Sequence, residues 1–219
     1  MITLWAPMAS TIALAGCAGP LSSLDPAGPA AGQISALWWG MFIGAAAISA
    51  LMLVLFAISF RARRPRVAER VWSLWLGVGF SLSVLTVLVG WGLVVGERQT
   101  VRGGDALRVQ AHASQWQWRF TQPGPDGPLT TTDRLYIPAG QPVVVEITSE
   151  DVIHSFWVPR LAGKMDAIPG HTNLLRIEAE APGVFDGLCA EFCGLDHATM
   201  RFDVMAYEPG QFPAIEEQP

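Results

Sequence analysis

Residues 187–200 read Gly-Leu-Cys-Ala-Glu-Phe-Cys-Gly-Leu-Asp-His-Ala-Thr-Met and set Cys189, Cys193, His197 and Met200 within twelve residues. Thiolate and thioether are soft donors, and imidazole is common in copper sites, so this set suits copper. Zinc would use the thiolates and the imidazole but gain little from a thioether. A blue-copper site needs one cysteine. A second, four residues later, allows both sulfurs to bridge two metal ions. Two copper ions then need further terminal ligands, and His154 in Asp151-Val-Ile-His-Ser-Phe-Trp157 is the obvious candidate, on a neighbouring strand end. In an oxidising compartment Cys189 and Cys193 could instead form a disulfide. That reading leaves His154, His197 and Met200 without a role.

Outward from this loop, the chain from about residue 98 has the period-two pattern of half-buried strands. Ala106–Phe120, Asp133–Ile137, Pro142–Thr148, Asn173–Ala179 and Met200–Ala206 alternate apolar and polar residues. Turns rich in Pro and Gly separate them, at Gln122–Pro128 and Ala181–Gly183. Short strands at this spacing predict an all-β Greek-key barrel or sandwich over residues 97–219. Trp116 and Trp118 are two apart and share a strand face, so one of them is expected to pack in the core. From Glu97 onward there are nine Lys and Arg against seventeen Asp and Glu, a net charge of −8 that suits a basic protein partner.

Upstream lie two apolar runs without a charge, Ala36–Phe60 and Val71–Val95. Each exceeds the roughly 20 residues that cross a bilayer core, and Trp38, Trp39, Trp72, Trp75 and Trp91 lie towards their ends, where indoles favour the interface. They predict transmembrane helices over 36–60 and 71–96. The connecting residues 61–70 hold Arg61, Arg63, Arg64, Arg66 and Arg70 against Glu69 alone, a net +4. By the positive-inside rule this loop is cytoplasmic. Both termini and the acidic domain then face outward, in the periplasm of a bacterium. With 51% hydrophobic and 15% charged residues the chain is not a typical soluble protein. Its one basic cluster is short and sits between apolar runs, which argues against a nucleic-acid partner.

Residues 1–17 end in Leu14-Ala15-Gly16-Cys17, and small residues before a Cys resemble a lipoprotein signal with Cys17 as the lipid-modified end. Residues 1–13 lack the Lys or Arg of an export signal, so an incidental Cys in an uncleaved leader is the alternative. Residues 18–35 are rich in Gly, Pro, Ser and Ala and predict a flexible linker.

Together these residues resemble subunit II of the bacterial haem–copper cytochrome c oxidases. Cys-Ala-Glu-Phe-Cys-Gly-Leu-Asp-His-Ala-Thr-Met (189–200) is similar to that family's dinuclear CuA loop. Glu150–Pro159 and Gly163–Asn173 are similar to its first-histidine region, and Ser114–Phe120 to its aromatic segment. The resemblance implies a two-helix membrane hairpin with a cupredoxin-like domain. It implies that His154 and His197 are terminal ligands, Cys189 and Cys193 bridging thiolates, Met200 a weak thioether ligand and Glu191 a carbonyl ligand of two copper ions. It further implies that the Glu191 side chain reaches a Mg²⁺ or Mn²⁺ ion at the boundary with subunit I. Trp116 would lie over the copper and take electrons from cytochrome c, with Glu150 and Asp151 on the docking face. Glu69, three residues before Trp72, matches a glutamate at the mouth of a proton channel; its ordinary reading is a charge at a membrane boundary. Oxygen reduction coupled to proton pumping would occur with subunit I, and with subunit III in the same complex. The sequence has no Cys-x-x-Cys-His for a haem of its own, so the donor is expected to be a separate protein.

Two readings of other classes compete. A membrane-tethered copper chaperone or sensor would need labile, exposed metal. A thiol–disulfide oxidoreductase would use Cys189 and Cys193, but the chain lacks the C-x-x-C of such enzymes.

Overall fold

The computed structural model describes residues 16–61, 68–101 and 106–213. The predicted leader up to Ala15 and most of the Arg-rich loop, including Arg63, Arg64 and Arg66, lie outside the described residues. The chain divides into two units, residues 36–98 and the remainder.

The first unit is helical. Helix α1 runs Pro29–Ser59 and helix α2 Val71–Gln99, the first ten residues of α2, Val71–Phe80, being wound in the wider π form. At 31 and 29 residues both are long and apolar enough to cross a membrane. A Cβ on Gly40 would lie 2.4 Å from the Trp91 ring, so the bare glycine is what admits that indole.

The second unit is a sandwich of two five-stranded sheets. Its strands are β1 Leu107–Ser114, β2 Gln117–Gly124, β3 Gly127–Thr132, β4 Arg134–Pro138, β5 Val143–Ser149, β6 His154–Trp157, β7 Met165–Ala167, β8 Asn173–Ile177, β9 Gly183–Cys189 and β10 Arg201–Tyr207. One sheet has the order β3-β2-β1-β5-β8 and the other β4-β10-β9-β6-β7. The pairs β1–β5 and β4–β10 are parallel while their other neighbours are antiparallel. Parallel neighbours need crossovers, so the chain passes repeatedly between the sheets in the cupredoxin-like manner expected. Between them lies a core of Val109, Ala111, Val143, Val145, Ile147 and Val204 with the aromatic group Trp118, Phe120, Phe156 and Phe202. Phe156 and Phe202 stack at 4.7 Å, and Trp118 meets Phe156 edge-on at 5.7 Å.

Three expectations need correction. The run Ala106–Phe120 is not one strand: it reverses between Ser114 and Gln117, and β1 pairs with β2 in antiparallel register, Ala113 against Trp118. Residues 18–35 are not a flexible linker, and the first helix starts at Pro29, seven residues before the predicted boundary. Proline is suited to a first helical position because it has no N–H to leave unpaired. Ahead of it, Arg160 donates to the Asp25 carbonyl at 2.8 Å and pairs with the Asp25 carboxylate at 3.2 Å. The Ala27 N–H donates to the Arg160 carbonyl, the Glu180 N–H to the Ala27 carbonyl and the Ala31 N–H to the Leu161 carbonyl. Ala27 and Ala30 pack on the core. The segment's small residues let its backbone lie against the domain. The predicted end of the second helix at residue 96 likewise falls short of Gln99.

Candidate metal centre

Every predicted copper ligand is placed at one end of the second sheet. His154 opens β6, Cys189 closes β9, His197 lies in a single 3-10 turn, His197–Thr199, and Met200 immediately precedes β10. The sheet register brings the strand ends together: Phe156 pairs with Cys189, and the Cys189 N–H donates to the Met200 carbonyl at 3.0 Å.

The two sulfurs are 3.8 Å apart. This is far beyond a disulfide bond of about 2.05 Å, yet shorter than two metal–sulfur bonds of about 2.3 Å end to end. One ion can therefore touch both thiolates. Cys189 Sγ lies 3.8 Å from His154 Nδ1, and Cys193 Sγ 3.6 Å from His197 Nδ1 and 3.8 Å from Met200 Sδ. The Cys189 thiol donates to the Glu191 carbonyl at 3.2 Å. His154, Cys189, Cys193 and Met200 are each at most 4% exposed. Burial, together with the neighbouring Cys189, pushes the Cys193 thiol up to about 12. Two soft thiolates, two imidazole nitrogens, a thioether and a carbonyl converge here, a donor set that fits copper.

Outside the ligands, Asp151 holds His154. The His154 Nε2–H donates to Asp151 Oδ1 at 2.9 Å, which leaves the Nδ1 lone pair towards the sulfurs. Asp151 also accepts the backbone N–H groups of Gln115 at 2.7 Å and Val152 at 2.6 Å. Burial disfavours its charge, but the hydrogen bonds from His154, Gln115 and Val152 outweigh that and hold the carboxyl at about 2. The resemblance placed Asp151 on a docking face; its carboxylate is engaged instead with a ligand ring. Outer partners of this kind are worth 10–100-fold in metal affinity, so Asp151→Ala is expected to weaken copper by about that factor in a chelator competition. Unchanged affinity would mean that packing near Trp118, whose ring lies 6.3 Å from the imidazole, orients His154 alone.

The metal loop also meets the β1–β2 turn. Gln115 Nε2 donates to the Cys193 carbonyl at 2.8 Å. A Cβ on Gly194 would lie 3.1 Å from Trp116 Cζ2 and 3.1 Å from Gln115 Nε2, and Gly194 has φ +127°. Glycine is thus required twice, for backbone conformation and for this close approach. Trp116, half-buried, lies in the turn between β1 and β2, and Trp118, fully buried, lies on β2, so the two do not share a strand face as expected, although one of them packs in the core.

Other sequence-derived residues fall elsewhere. Lys164 Nζ donates to Glu191 Oε2 at 3.2 Å and to Asp166 Oδ1 at 3.1 Å. His112 has Nδ1 2.9 Å from Thr148 Oγ1 and Nε2 3.7 Å from Glu150. Glu69 is exposed in the helical unit, outside the cluster. Cys17 is half-buried with a free thiol, and its carbonyl accepts the Ser22 hydroxyl. Asp151, Gln115 and Lys164 were missed as supporting residues. Only Asp151, an acid three residues before a ligand histidine, left a sequence signal.

Residues 119–206 match the family described as cytochrome C oxidase subunit II, periplasmic domain. The chain is 32% identical to cytochrome c oxidase subunit 2 of Alkalihalophilus pseudofirmus, over 94% of this chain and 65% of that protein. It is 35% identical to the alternative cytochrome c oxidase subunit 2 of Bradyrhizobium diazoefficiens, over 66% of this chain and 62% of that one. It is also similar to the crystal structure of the periplasmic domain of subunit II of cytochrome oxidase of Bradyrhizobium japonicum, with 31% identity and a TM-score of 0.46 over 50% of this chain and 88% of that one. The chain spans less than two thirds of the length of the two full-length relatives named here. With two apolar helices, a cupredoxin-like sandwich and a buried thiol–imidazole cluster, the chain is similar to the cytochrome c oxidase subunit II proteins over nearly its whole length.

Proposed function

We propose that this chain is the electron-accepting subunit of a cytochrome c oxidase, holding two copper ions as a CuA centre between Cys189 and Cys193. The observation that carries the reading is the 3.8 Å sulfur–sulfur separation with an imidazole nitrogen beside each sulfur. When bound, the copper pair supplies a one-electron acceptor whose charge is shared over two metals, so ligand bonds change little on reduction. The residues of the chain do the rest. Cys189, Cys193, His154, His197, Met200 and the Glu191 carbonyl fix the donors, and the packed core beneath them resists rearrangement. Trp116, against Gly194, takes the electron from a cytochrome c. Phe192 and Leu195, 78% and 93% exposed, give that partner an apolar surface on the ligand loop.

The electron leaves to haem in subunit I, where oxygen is reduced and protons are pumped, with subunit III in the same complex. The copper domain and both termini lie on the periplasmic side of a bacterial inner membrane, Cys17 is the lipidated residue, and Glu69 stands at a proton-channel mouth. Glu191, whose carboxylate pairs with Lys164 at 3.2 Å, faces the subunit I boundary and would there reach a Mg²⁺ or Mn²⁺ ion. Burial of the ligands argues against a chaperone, which must release its metal.

The test is copper per chain and the EPR spectrum of the full-length protein in detergent, reconstituted after reduction. Two coppers with hyperfine structure from one electron on two equivalent nuclei are expected. One copper with a mononuclear spectrum, despite reduced thiols, would reject the dinuclear centre.

A further inference from the structure

The turn between β1 and β2 touches the metal loop through two adjacent residues of different character. Trp116 presents a ring, and Gln115 presents an amide that no chemistry of the metal requires. Gln115 is nevertheless bonded at both ends. Its backbone N–H donates to Asp151 Oδ2 at 2.7 Å, and its side-chain Nε2 donates to the Cys193 carbonyl at 2.8 Å. Asp151 in turn holds His154. The residue before Trp116 is therefore fastened to the backbone of one thiolate ligand and, through one carboxylate, to an imidazole ligand.

Few other polar contacts could fix the ring. Trp116 Nε1 is buried without a hydrogen-bond partner, so the indole is not anchored by its own N–H. The ring packs against the edge of the hydrophobic core and against the bare backbone of Gly194, contacts that hold it without a directional bond. Its distance from the metal loop is then set by the backbone that carries it. The two Gln115 hydrogen bonds hold that backbone.

We infer that Gln115 is a positioning residue for electron acceptance, setting the gap between the Trp116 ring and the Cys193–Gly194 backbone through its amide bond to the Cys193 carbonyl. The inference rests on the reading of Trp116 as the electron-accepting residue. Electronic coupling falls steeply with through-space distance, so loss of this bond slows transfer without altering the copper ligands. The donor still binds, because Phe192 and Leu195 are untouched.

The experiment uses the full-length, copper-loaded chain in detergent and a reduced c-type cytochrome in stopped flow. Each event moves one electron from ferrous donor haem, which becomes ferric, to the oxidised chain; no proton or bond is exchanged. Gln115→Met keeps the length and removes the donor. It is expected to lower the saturating transfer rate by up to about a hundredfold, the scale on which a misplacement of about 1 Å acts. The half-saturating cytochrome concentration, the EPR hyperfine pattern and the midpoint potential stay at wild-type values. Gln115→Leu, which also removes the donor and adds no charge, gives the same pattern and guards against poor folding of the methionine variant.

Trp116→Phe separates the two levels of the argument. If it slows transfer while both Gln115 variants match wild type, the positioning role is wrong and the Trp116 reading stands. If Trp116→Phe itself transfers at the wild-type rate, the reading beneath falls and the inference with it. Loss of the EPR pattern in both Gln115 variants also overturns the inference, since Gln115 would then be holding the metal loop as a whole.

Discussion

Cys193→Ser is expected to abolish the shared-electron EPR signal and leave at most one tightly held copper per chain. Serine is close to cysteine in size, so the 4% exposed site is not emptied and the loop can keep its path. What changes is the donor. A hydroxyl is a hard, weakly acidic group that does not replace a soft thiolate in bridging copper. Cys193 also stands among three other donors: Cys189 Sγ, His197 Nδ1 and Met200 Sδ all lie within 3.8 Å of its sulfur. Its loss therefore removes the atom around which three other donors are arranged, whereas Met200→Leu would remove only a weak ligand. Because burial beside Cys189 pushes the Cys193 thiol up to about 12, the metal must displace its proton on loading. Copper uptake by the wild type should accordingly release protons and weaken as pH falls, and the serine variant should release fewer. A variant retaining two coppers with an unchanged spectrum would show that the cysteines are not both bridges.

The ligand loop was legible because metal binding restricts residue type at short spacing, and Cys189, Cys193, His197 and Met200 sit within twelve residues. His154 could be added because a ligand on the adjacent strand was required and few histidines exist. The apolar runs were legible for a similar reason, since a bilayer sets length and excludes charge. Features that depend on pairing between distant residues were not. The reversal at Gln115–Trp116 has neither Gly nor Pro, so nothing local announces it. Strand β7 is only three residues long, and β6 only four, and they exist by pairing, β6 with β9 and β7 with β6. Asp151 was visible as an acid, but whether it faces solvent or His154 depends on how the turn after β5 folds. The net −8 of the domain was legible by counting, but which acids are paired was not: Glu146, Asp166, Asp203 and Glu191 each meet a nearby Arg or Lys.

Gly28→Val should be the most damaging substitution outside the metal site and the sharpest test of the docked N-terminal segment. A Cβ at residue 28 would lie 2.1 Å from the Glu178 carbonyl oxygen and 3.1 Å from that of Leu161. Both are backbone atoms held in the domain, so no flexible side-chain end can swing aside. The backbone at Gly28 is not in the left-handed region, so the requirement is for space alone. Overpacking of this kind costs about 1–3 kcal/mol when neighbours can shift, but here the segment has a cheaper escape. It can lift away, giving up the Ala27 and Ala31 hydrogen bonds and the Asp25–Arg160 pair while leaving the sandwich folded. The loss of stability should then stop near what docking contributes, even for side chains larger than valine. Two measurements distinguish this from a core defect. Hydrogen exchange at Ala27 and Ala31 should accelerate to the rate of an unstructured chain while the amides of β1 and β5 keep their protection. The copper EPR pattern should be unchanged, because Leu161 and Glu178 are not ligands. Equal acceleration in β1 and β5 would mean that residues 25–31 are an integral part of the domain's cooperative fold, and that a fragment beginning after the second helix lacks something it needs to fold.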